Sequence, residues 1–143
     1  DVAATLSLGD HVVTASVVDS EFATGEDAIN VTVYDPTGPT TMSVSDLSGS
    51  GVAGPRGGKW NAVVTVTVLD NADNPVSGAT VNATWSNGTN GSGTCDTDGS
   101  GQCTISKNNL KSNVSSVTLS VTGIDGPLTF VNSGPNSVVV TKP

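Results

Sequence analysis

Apolar and polar residues alternate along most of this chain with a period of two. Between Trp60 and Leu69, Ala62, Val64, Val66 and Val68 fall on one face, and Asn61, Val63, Thr65 and Thr67 on the other. Ala79, Val81, Ala83 and Trp85 alternate with Thr80, Asn82 and Thr84, and Val117, Leu119 and Val121 with Thr118, Ser120 and Thr122. Successive side chains of a strand point to opposite faces, so each run predicts a strand with one apolar and one wet side. Shorter runs over Met42–Ser45, Gln102–Ser106, Leu128–Val131 and Ser137–Thr141 predict further strands. No helix-sized window carries a helical period.

Turn-forming clusters separate these runs. Asp70-Asn71-Ala72-Asp73-Asn74-Pro75 ends one strand, Ser86 to Gly93 reads as a Gly-rich connector, and Asp98-Gly99-Ser100-Gly101 reads as a tight hairpin turn. About seven short strands in roughly 100 residues predict an all-β chain whose residues 41–143 form an antiparallel β-sandwich. The expected core is Val44, Val64, Val66, Val68, Val81, Ala83, Trp85, Ile105, Val117, Leu119, Val121 and Val140. Residues 1–35 differ. They hold strands near Leu6–Leu8, Val12–Val18 and Ala28–Val33, followed by a stiff Pro/Gly linker over 36–40. So short a segment cannot bury a stable core alone. It reads as the last strands of a partial second domain, which docks on its neighbour, is completed by another chain, or is a remnant.

Composition sharpens this picture. Val, Thr, Ser, Gly, Asn and Asp dominate, and strong helix formers are scarce. The net charge is −8, with Arg56, Lys59, Lys107, Lys111 and Lys142 as the five cations. So few cations on so acidic a chain argue against nucleic acid as a partner. No run approaches the ~18 apolar residues of a membrane helix, so membrane insertion is not expected. No signal peptide is visible, as in a mature or excised fragment. Cys95 and Cys103 are the only cysteines, and they flank a seven-residue turn segment. Their spacing predicts a disulfide and an oxidising, extracellular compartment. Closing about nine residues contributes roughly 2.5 kcal/mol in the chain-entropy description. A zinc site would need further ligands, and His11 is the sole histidine.

Two stretches resemble known repeats. Asn74-Pro75-Val76-Ser77-Gly78-Ala79-Thr80-Val81, followed by Thr97-Asp98-Gly99-Ser100-Gly101-Gln102-Cys103-Thr104-Ile105, resembles bacterial immunoglobulin-like repeats of the invasin and carboxypeptidase-regulatory kinds. There the first motif turns into a core strand, and the second is the hairpin entering the next strand. The cysteines around the second motif depart from that pattern. Leu8 to Ser20, continuing through Gly25 to Val33, is similar to the C-terminal strands of PKD-like or cadherin-like repeats. The resemblance implies a fragment of a tandem-repeat extracellular protein, a non-catalytic spacer or accessory module attached to an enzyme or adhesin. Its partners would be neighbouring domains of the same chain. A filament subunit completed by strand exchange with other copies, and a polysaccharide-binding accessory module, are the alternatives.

Candidate chemistry is sparse. One histidine and no G-x-S-x-G elbow argue against a serine triad, and Glu21 and Glu26 share one loop rather than facing across a cleft. No catalytic residue is assigned, and no cofactor is expected beyond structural calcium. Asp96 and Asp98 alternate as in the opening of an EF-hand loop, but Lys107 stands where its closing glutamate belongs. Asp19, Glu21 and Asp27 are the carboxylates able to hold an interdomain ion in a cadherin-like manner. Trp60, beside Arg56 and Lys59, is the ring placed to stack on a sugar, whereas Trp85 is in phase with the core. Sequons stand at Asn30, Asn82, Asn87, Asn90 and Asn113, a number this composition produces by chance.

Overall fold

The computed structural model describes residues 6–33, 38–54 and 58–143. It is all-β and divides into two units, Asp1–Gly38 and Pro39–Pro143. Tyr34 to Thr37, which include the first two residues of the linker expected over 36–40, lie outside the described residues.

In the first unit, β1 (Gly9–Val18) and β2 (Thr24–Val33) form one antiparallel hairpin, from Gly9↔Val33 to Val18↔Thr24. Val13, Ala15, Val17, Ile29, Val31 and Val33 fall on one face of this ribbon with His11 and Asp27, and Thr14, Ser16, Asn30 and Thr32 on the other with Val12 and Val18. The apolar side remains bare, Val17 being 70% and Ile29 59% exposed. Leu6–Leu8, expected as a strand, is not one. The chain leaves the ladder at Gly9, whose φ is +119°, and His11 Nε2 donates to the Ser7 carbonyl at 2.7 Å.

The second unit is a sandwich of two four-stranded sheets. One comprises β3 (Thr41–Ala53), β4 (Trp60–Asp70), β7 (Gln102–Leu110) and β9 (Thr129–Phe130), in the order β7-β4-β3-β9. The other comprises β5 (Thr80–Ser86), β6 (Gly91–Asp96), β8 (Ser116–Asp125) and β10 (Ser137–Thr141), in the order β10-β8-β5-β6. All pairings in it are antiparallel except the two-residue β3–β9 contact. With β9 set aside, this is the immunoglobulin-like arrangement of strands A, B and E facing C′, C, F and G. Trp85 sits on the C strand, buried between the sheets.

The period-two pattern explains the packing. Ala62, Val64, Val66 and Val68 are all fully buried, and they meet Val81, Ala83, Trp85, Val117, Leu119 and Val121 of the opposite sheet. Every residue expected in the core lies in it. Met42, Trp60, Val76, Ala79, Leu110 and Ile124 join them.

Two strands run further than the sequence pattern predicted. β6 begins inside the segment read as a connector, at Gly91. A Cβ on Gly93 would stand 2.5 Å from Ile105 Cγ2 and 3.3 Å from the Trp85 indole nitrogen, so the strand needs glycine to cross those side chains. β3 runs far past Ser45 through a bulge between Val44 and Asp46. Its Gly49 would place a Cβ 2.8 Å from Val140 Cγ2, so glycine admits β10 to the sandwich's open side.

Gly93→Ala is therefore expected to destabilise the protein by about 1–3 kcal/mol through overpacking. Gly99→Ala, with open space around the new methyl group, should stay within roughly 0.5 kcal/mol. Denaturant midpoints of the two variants, measured side by side, check this. Equal midpoints would contradict the close approach at β6.

Candidate functional site

The cysteines and the calcium-candidate aspartates of the second unit fall near one end of the sandwich, and Trp60 falls at the other. The register defines two poles. Met42↔Asp70, Thr80↔Asp96 and Thr80↔Asp125 mark the first; Ala53↔Trp60, Trp60↔Leu110 and Thr141↔Ser116 mark the second.

At the first pole the cysteines form their disulfide, with Cα atoms 5.7 Å apart. Cys95 is the last residue but one of β6 on one sheet, and Cys103 is the second residue of β7 on the other. The segment between them was expected as a hairpin turn and is instead a corner that carries the chain across the sandwich. The bridge therefore ties two edge strands of different sheets. Its connection is too short for β6 and β7 to part, and their pairings lie with β5 and β4.

The corner is held from inside by Thr97, 5% exposed and the buried polar residue of the core region. Its hydroxyl donates to the Val76 carbonyl at 2.6 Å and accepts from the Ala79 amide at 2.9 Å. Its backbone exchanges bonds with Gly78 and Ala79. The Pro75-Val76-Ser77-Gly78-Ala79 and Thr97-Asp98-Gly99-Ser100-Gly101 segments, bonded across 18 and 21 residues of sequence, thus build one substructure. Gly78 and Gly101, both at φ +73°, shape it, and a Cβ on Gly101 would meet the Val68 carbonyl at 2.6 Å. Pattern reasoning missed Thr97 because a threonine between two aspartates looks like a solvated turn.

Asp98 closes the corner. One carboxylate oxygen accepts from the Ser100 hydroxyl at 2.6 Å, the Ser100 amide at 2.9 Å and the Gln102 amide at 3.0 Å. The Ser100 hydroxyl first, and then the Gln102 and Ser100 amides, hold its pKa below the ordinary aspartate value. Asp70 does the same for the 70–74 turn, its pKa lowered chiefly by the Asn74 amide and further by Ala72. Asp96 accepts from the Thr80 hydroxyl at 2.7 Å. These aspartates are turn and ladder acceptors, as the loops of an antiparallel sandwich require.

In the first unit, Asp19 accepts from the Glu21 and Ala23 amides at the hairpin tip, which carries Phe22 at φ +64° and 88% exposed. Asp27 stands further along the ladder, opposite Ala15, with its carboxylate turned to the Ala28 amide. Among the described residues no three His, Cys, Asp or Glu side chains come together as a set able to hold a metal ion.

Trp60 is the clearest correction. It is 1% exposed, packed in the core at the second pole, and its indole N–H donates to the Val114 carbonyl at 2.9 Å. A tryptophan opening a strand beside two cations looked open to a sugar face. The β7–β8 connection closes over it instead. Comparison of the chain with protein-family models, curated proteins and solved structures finds no match.

Three outcomes follow. Cys95→Ser or Cys103→Ser should cost about 2.5 kcal/mol, lowering the melting midpoint under oxidising conditions by roughly 10 °C; an unchanged midpoint refutes a stabilising bridge. Trp60→Ala should cost about 3–5 kcal/mol in chemical denaturation, where a surface ring would cost little. For Asp98, a depressed folded pKa means its stabilisation is present above the unfolded aspartate pKa and is lost as pH falls through the folded value. Asp98→Asn keeps the acceptor oxygen but cannot titrate, so its melting midpoint should fall less than the parent's between about pH 4 and pH 2. Parallel curves would contradict the role of the charge.

Proposed function

We propose that the chain is a non-catalytic immunoglobulin-like spacer or accessory module of a secreted or cell-surface prokaryotic multidomain protein. The observation that carries this reading is the path of the chain through the sandwich. β3, the first strand, starts at the first pole, and β10, the last, ends at the second. A module so threaded places whatever precedes it and whatever follows it at opposite ends of a rigid body. β4 alone spans about 34 Å at the usual rise per residue. The disulfide corner fits an oxidising compartment outside the cell. The likeness of the Asn74–Val81 and Thr97–Ile105 segments to bacterial immunoglobulin-like repeats supports the same reading, since in this chain those segments are mutually bonded.

A second reading rests on the hairpin. Among the described residues β1 and β2 pair only with each other and leave an apolar face bare, an arrangement that invites completion by another chain and would make the protein a filament or adhesin subunit assembled by strand exchange. The polysaccharide-binding alternative loses its ring, because Trp60 is enclosed.

Fluorophores placed at Ser77 and at Lys59, as Ser77→Cys and Lys59→Cys in a Cys95→Ser/Cys103→Ser background, measure the pole-to-pole path. Transfer efficiency should report a separation above about 30 Å, with one monomeric mass across concentrations in light scattering. A short separation would overturn the spacer geometry. Salt-insensitive multimers that vanish when β1 and β2 are deleted would favour strand exchange.

A further inference from the structure

The charges of the sandwich are sorted by pole. Asp70, Asp73, Asp96, Asp98 and Asp125 lie at the first pole, and Asp46 sits opposite Thr67 in the half nearest it. Lys59 precedes β4, Lys111 follows β7, and Lys142 follows β10, all at the second pole. Lys107 lies near that end and donates to the Asn90 carbonyl at 2.8 Å, while Lys142 donates to the Ser112 carbonyl at 3.2 Å. Arg56, the fifth cation, lies outside the described residues. The sorting continues into the first unit by sequence. Asp1, Asp10, Asp19, Glu21, Glu26, Asp27 and Asp35 precede Gly38 with no lysine or arginine among them.

We propose that the lysine-bearing second pole is a docking surface for the acidic first pole of a second copy of this chain, giving head-to-tail association. Three features favour that occupant. The two poles are opposite in sign. They stand at opposite ends of the long axis, so opposite charges of one sandwich, about 34 Å apart along β4, cannot satisfy each other. The strand path also puts the ends where successive modules meet. Such a contact is heterologous and open, so it propagates rather than closing into a dimer. Exposed ion pairs are individually weak, so the signature is salt sensitivity and orientation, not tight binding. The contact differs from strand exchange in using the sandwich poles rather than the hairpin, and its argument from the strand path rests on the spacer reading.

Zero-length carbodiimide coupling of lysine to carboxylate tests it on the full chain. Because the poles are too far apart to couple within one sandwich, a bond from Lys59, Lys111 or Lys142 to Asp73, Asp96 or Asp125 reports contact between molecules. In about 50 mM salt we expect a ladder of multimers joined at those residues, reduced at least about tenfold in 500 mM salt, where the screening length falls to a few ångströms. The triple variant Lys59→Glu/Lys111→Glu/Lys142→Glu should give no ladder while keeping the parental melting transition. It should also shorten the parental ladder when mixed in excess, because its intact acidic pole caps the growing end. Light scattering at both salt concentrations supplies the uncoupled comparison. No multimers at low salt would overturn the proposal. So would multimers that persist in high salt or in the variant, which would assign assembly to the hairpin's apolar face. If anionic polysaccharide bound the second pole and abolished coupling while the uncoupled chain stayed monomeric, the pole would belong to that polymer and the proposal would also fail.

Discussion

Two sheets packed about 10 Å apart leave room for one layer of interdigitated side chains, and residues 39–143 are organised around that limit. Valine and alanine dominate the inner face of β4, so Trp85 and Trp60 can each be fully enclosed without forcing the sheets apart. Where a strand must pass still closer, the inward position is glycine, as at Gly93 over Ile105 and Gly49 under Val140. Thr97 obeys the same limit in polar form. It is small enough to enter the layer, and both capacities of its hydroxyl are satisfied by Val76 and Ala79.

The hairpin shows what happens without a second layer. Val13, Val17, Ile29, Val31 and Val33 share one face, yet Val17 and Ile29 stay exposed, because among the described residues of the unit no second sheet faces them. A two-stranded ribbon is marginal by itself, and the tip turn held by Asp19 supplies local bonding only. The bare face is a property of the ribbon's two-strand width, not of an unusual sequence.

Much of this was legible in the sequence. Period two placed the inner residues of β4, β5 and β8 because nothing competes with alternation on a strand buried on one face. The disulfide was legible because two cysteines have one partner each. What escaped was set by neighbours remote in sequence. Gly93 reads as loop until Ile105 and Trp85 lie beneath it, and the strand expected to stop at Ser45 runs on because Gly49 gives Val140 of β10 room beside it. Trp60 was misplaced because the carbonyl that receives its indole N–H belongs to Val114, far along the chain. The turn at Asp98–Gly101 was recognised as a turn, but whether it joins strands of one sheet or two depends on pairings of β6 and β7 that no local residue encodes.

The path of the chain has a mechanical consequence. A pull applied through the residues before β3 and after β10 acts along those strands in opposite directions, parallel to the ladders that hold them to β4 and β8. The hydrogen bonds of each ladder are then loaded together in shear, rather than being peeled open one rung at a time. The Cys95–Cys103 bridge lies outside that line of load. Once the terminal strands give way, it keeps the corner from contributing its length to the extended chain, so a tether built from this module would yield in one abrupt step.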